Sequence, residues 1–76
     1  MVSLRVRMWQ KRVDCKDERT SVCWSLAQEF VFHGADRKEA QDREVALRRM
    51  LPMYSAAVAG RPWAGLRWMV RARWIE

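Results

Sequence analysis

Residues 21–33 read SVCWSLAQEFVFH, and the layout of the whole domain follows from how this stretch folds. Val22, Leu26 and Phe30 recur at i, i+4 and i+8, and Cys23, Ala27 and Val31 make a second row beside them. Two adjacent rows form the wide apolar stripe of a helix that faces a core. Thr20 or Ser21 can cap its start, and Gly34 offers a left-handed stop at its end. The stretch therefore predicts a helix over 21–33, with Trp24 and Phe32 left outside the stripe.

Upstream, Val2, Leu4, Val6 and Met8 alternate with Ser3, Arg5 and Arg7. This is the period of a half-buried strand, expected over 2–9. The polar run Gln10–Arg19 reads as a loop, with a strand extension at its start as the alternative. Downstream, Asp36 with Glu39 three residues later resembles a capping box and opens a helix over 37–59, kinked or broken at Pro52, which has no N–H to give. From Leu66 to Ile75, Leu66, Trp68, Val70, Ala72 and Trp74 share one parity, and Arg67, Arg71 and Arg73 take the other. A cationic amphipathic helix is the alternative for this segment. The unbroken alternation, together with Val and Trp, favours a strand over 66–75.

The expectation is a single α+β domain spanning 1–76, β-α-α-β, with a two-stranded antiparallel sheet covered on one face by helices. Two helices in succession return the chain to the end where the first strand finished, so the strands pair without a long crossover. The wide-striped helix belongs on the sheet and the narrower one against its side.

Composition narrows the function. The chain has 76 residues, half of them hydrophobic and a third charged, with a net charge of +6; such a chain is neither a disordered tail nor a membrane span. Arg5 and Arg7 interrupt the apolar run a signal peptide would need, so a cytoplasmic location is expected. Cys15 and Cys23 stand in a C-x7-C spacing that matches no zinc pattern, and reduced thiols are expected. No nucleophile elbow, glycine-rich phosphate loop or paired carboxylates are found, so no enzyme activity, cofactor or metal is expected. Glu29 and His33 lie one helical turn apart on the expected helix, but a lone pair of this kind arises easily by chance.

What remains is binding. Twelve arginines against three lysines suit phosphates, carboxylates and aromatic faces, although GC-rich coding would also enrich arginine. On the alternation above, Arg5, Arg7, Arg67, Arg71 and Arg73 share the outer face of the sheet with Trp9, Met69 and Ile75. A surplus of large aromatics (Trp9, Trp24, Phe32, Trp63) exceeds what a small core can hold, and exposed aromatics beside arginine are typical of binding hot spots. The first expectation is thus a small regulatory protein that binds another protein through an Arg/Trp-rich surface. By analogy, such a protein suits a phage or mobile element acting on a host protein. The alternative is nucleic-acid binding through Arg5, Arg7, Trp9, Arg67, Arg71 and Arg73. Open sheet edges also predict a homodimer.

Overall fold

The computed structural model describes residues 1–12 and 24–75. The order is β1 (Val2–Arg12), β2 (Ser25–Gly34), α1 (Arg37–Met50), α2 (Pro52–Val58) and β3 (Leu66–Ile75). The three strands make one antiparallel sheet in the order β2-β1-β3, with β1 in the middle. The expected two-stranded sheet is therefore corrected to three strands, and the expected helix over 21–33 is corrected, in its described part, to β2. Residues 13–23, with both cysteines, lie outside the described residues.

The reason for the correction lies in what β1 requires. A strand buried on one face has two edges of backbone N–H and C=O groups, and a two-stranded ribbon is marginal in water. Strand β2 supplies the second ladder, pairing Val2 with Gly34, Leu4 with Phe32, Val6 with Phe30 and Met8 with Gln28. In this register Phe30 and Phe32 land on the same face as Leu4 and Val6. Aromatic and β-branched residues at 30–32 are well suited to a pleated surface. The apolar pattern of 25–34 looks helical because its period is broken. The pairing jumps from Met8↔Gln28 to Trp9↔Leu26, so Ala27 is an extra residue, a bulge that turns Leu26 to the opposite face.

The core follows directly from this register. Leu4, Val6 and Met8 of β1 and Trp68 of β3 are buried, as are Ala40 of α1 and Tyr54 and Ala57 of α2. Phe30 packs edge-on against Tyr54 with ring centres 5.6 Å apart. Both helices thus cover one face of the sheet. Helix α1 lies over β2 and β1, and α2 lies against β3. The wide-striped helix expected on the sheet does not exist, and α1 and α2 take its place.

Local chemistry sets the joints. Asp36 caps α1 by accepting a hydrogen bond from the Glu39 N–H at 2.9 Å. Arg37, in the first turn, lies over the Trp74 ring at 5.0 Å and fastens the helix to the end of β3. Leu51 is extended (φ −117°, ψ 104°), which lets Pro52 begin α2. After α2 the Arg61 N–H bonds the Ala56 carbonyl and the Gly60 N–H bonds that of Ala57, a Schellman ending with Gly60 left-handed at φ +71°. Gly34 serves differently from the stop expected of it. Its φ is not in the left-handed region, and glycine is needed there for room, because a Cβ would sit 2.5 Å from the Ala40 nitrogen and 2.9 Å from the Asp36 carbonyl oxygen.

One polar cluster is enclosed by the helices. Glu44 is only 5% exposed, and both its carboxylate oxygens accept from Arg48 Nε, at 2.9 and 2.7 Å. The buried Tyr54 hydroxyl makes no hydrogen bond among the described residues. Burial, reinforced by the Glu44 carboxylate, pushes its pKa up to about 12.

Candidate nucleic-acid interface

Among the described residues no helix covers the face of the sheet opposite α1 and α2, and the register fixes which side chains it carries. Across β1 and β3 the rows are Ser3↔Ile75, Arg5↔Arg73, Arg7↔Arg71, Trp9↔Met69 and Lys11↔Arg67. Strand β2 adds His33, Val31, Glu29 and Leu26 opposite Ser3, Arg5, Arg7 and Trp9. The residues Arg5, Arg7, Trp9, Arg67, Arg71 and Arg73 therefore all stand on one face.

Three consecutive features of this face bear on chemistry. The first is a quartet, Arg5, Arg7, Arg71 and Arg73. Same-face neighbours lie about 6.8 Å apart along a strand and about 4.8 Å apart between strands, so four guanidinium stems rise from a small rectangle. Like charges directly opposite each other destabilise a ladder, and here two such rows are adjacent. The quartet has one counter-charge among the described residues: Arg7 Nε donates to Glu29 Oε2 at 2.7 Å, with both side chains about 40% exposed.

The second feature is a groove of about 460 Å³ that begins where the quartet ends. Arg7 and Arg71 stand at its cationic end, and Trp9, Trp24 and Met69 supply apolar wall and floor. Its volume falls in the range of small-molecule sites, roughly 300–1,000 Å³. The third feature is Lys11, only 5% exposed, whose Nζ lies 5.7 Å from the centre of the Trp24 ring. This cation–π contact holds Trp24 at the groove.

Sequence reasoning named the arginines, Trp9 and Met69 for this face but not Trp24 or Lys11. A helix over 21–33 takes Trp24 away from this face. Lys11 continues the parity of Arg5, Arg7 and Trp9, and extending the strand past residue 9 by that parity places it here.

Glu29 and His33 do not meet as an acid–base pair. On a strand, four residues span about 13 Å, and each has its own partner: Glu29 holds Arg7, and His33 Nδ1 shares a hydrogen bond of 2.8 Å with Ser3 Oγ. Among the described residues no three His, Cys, Asp or Glu side chains are grouped to hold a metal ion, and no helix is long and apolar enough to cross a membrane.

The expected aromatic surplus is smaller than composition implies. Phe32 packs against the core beside Phe30, and Trp9 and Trp24 line the groove. Trp63 remains 43% exposed, beside a shallow hollow formed with Pro52, Ala56 and Pro62 in the helical layer. No family model, curated protein or solved structure matches the chain.

Proposed function

We propose that the protein is a non-enzymatic, cytoplasmic binding protein that takes a nucleic-acid strand on the sheet face opposite its helices. The observation that carries this reading is the facing of arginine by arginine, Arg5 with Arg73 and Arg7 with Arg71. Such rows oppose folding and are relieved by an anion that bridges them. Guanidinium forks are matched to phosphate oxygens in geometry as well as charge. Arg67, on the same face, extends the cationic surface beyond the groove. A protein partner gains less from this face. The aromatic surplus that favoured one is reduced by Phe32 packing inward.

Salt titration tests the proposal. A face that neutralises four or five phosphates of a single strand gives a plot of log K against log salt with a slope of about −3. Arg5→Ala, Arg71→Ala or Arg73→Ala each lowers that slope by about 0.7. An affinity for oligonucleotides that hardly varies with salt contradicts the phosphate contacts. Failure to bind random single-stranded or duplex oligonucleotides at low salt removes the reading altogether. The expected protein partner would then become the leading explanation of the face, with its on-rate steered by the arginines.

A further inference from the structure

The nucleic-acid reading leaves open whether the face meets a duplex, whose bases are stacked inside, or a strand whose bases are free. We infer that the groove beside the arginine quartet is a slot for one unpaired base, so that the protein selects single strands. The inference rests on the reading above and adds to it.

The groove is continuous with the quartet. Arg7 and Arg71 form one row of the ladder and Trp9 and Met69 the next, so the apolar row of the slot lies one same-face step, about 6.8 Å, from the arginine row that also lines it. A phosphate held by Arg7 and Arg71 therefore carries its attached base toward Trp9 and Trp24. The lining is built for a flat π-system. It has two indoles, a thioether that packs well on rings, and guanidinium groups at one end only.

The walls are braced. Trp24 is held by the Lys11 ammonium, and Arg7 is held by Glu29 at 2.7 Å. Neither side chain has to be ordered by the ligand, and that lowers the entropic cost of binding. Phosphates alone do not require such a slot. A lattice of arginines on a flat face would bind them equally well, and the apolar volume between Trp9 and Trp24 would have no occupant. Stacking on an aromatic ring tolerates any base, because every base has a π-face. The slot is thus expected to distinguish strand from duplex without reading sequence.

The test uses three ligands of equal length on the intact chain: oligothymidine, the matched duplex, and an abasic strand that keeps the phosphates and lacks the bases. Binding is followed by indole fluorescence and, independently, by calorimetry. Oligothymidine is expected to bind about tenfold or more tightly than the abasic strand and to quench the fluorescence. Trp9→Ala is expected to weaken oligothymidine about ten- to a hundredfold, with the abasic affinity and the salt slope unchanged. Trp9→Phe keeps an aromatic face and restores most of the loss. Circular dichroism melts check that both variants are folded, and Trp24→Phe provides a second aromatic replacement should Trp9→Ala fail to fold. Equal affinity for oligothymidine, duplex and abasic strand overturns the slot and leaves the phosphate-binding face standing. No binding to any of the three overturns both.

Discussion

Charge reversal at Arg73 should make the protein more stable. Arg73 is exposed on β3 directly opposite Arg5, whose β2 neighbour in the same row is the uncharged Val31. Two unit charges about 5.5 Å apart in water repel by about 0.8 kcal/mol, and screening with a Debye length of about 8 Å at physiological salt roughly halves that. Arg73→Gln removes the repulsion and should gain about 0.4 kcal/mol, and Arg73→Glu replaces it with attraction for about 0.8 kcal/mol in all. For a domain of this size, 0.8 kcal/mol raises Tm by roughly 3–6 °C. Melts by circular dichroism at low and at physiological salt provide the assay. The increments should run Glu above Gln above wild type, widen at low salt, and shrink for Glu once Arg5 is also neutralised. The same variants should bind nucleic acid more weakly, a trade of function for stability. If Arg73→Glu melts at or below the wild-type temperature, the guanidinium groups splay apart, and the argument from opposed rows is wrong.

Two other perturbations test the packing. Gly34→Ala places a methyl group 2.5 Å from one backbone nitrogen and 2.9 Å from a carbonyl oxygen. Neither can move without shifting the start of α1, so a loss of about 2 kcal/mol or more is expected in denaturant titration; a neutral result means that the β2–α1 joint is looser than described. Tyr54, the chain's one tyrosine, supplies a pH test. Below about pH 10 both folded and unfolded phenols are protonated and stability is unaffected. Above that the unfolded phenol ionises while the folded one waits until about 12, so stability falls through this window by up to about 1.4 kcal/mol per pH unit. Tyr54→Phe should lose little stability at neutral pH, since no hydrogen bond is broken, and should flatten the alkaline decline relative to wild type. An equal decline in the variant means that other groups cause it.

The parts of the fold that can be read from the sequence are those where one period stands alone. In Val2–Met8 and Leu66–Trp74 strict alternation leaves a strand only one way to face. Asp36 and Glu39 mark a helix start because their side chains answer unpaired backbone donors. The segment 25–34 resists reading because two periods are superposed on it. The bulge at Ala27 puts Leu26 out of step with Phe30 and Phe32, and apolar residues on both faces of β2, such as Val31 opposite Arg5, fill the gaps a strand pattern needs. The resulting spacing matches a helix by coincidence, and only the ladder with β1, a long-range fact, separates the two. The candidate site divides in the same way. The arginines follow from parity, and the groove depends on Trp24, which immediately precedes a strand whose existence the local pattern conceals.

The central position of β1 also bears on how the protein is made. Residues 2–12 emerge from the ribosome well before residues 66–75, yet one of their two ladders is with that segment. Until Ile75 has been synthesised, the pair of β1 and β2 has a free edge along β1 and cannot complete the sheet. Long-range closure of this kind is slow compared with hairpin formation, and an unpaired apolar edge is open to the wrong neighbour in the meantime. Mutual repulsion between Arg5 and Arg7 of one chain and those of the next on a polysome works against edge-to-edge pairing before the chain's own third strand arrives.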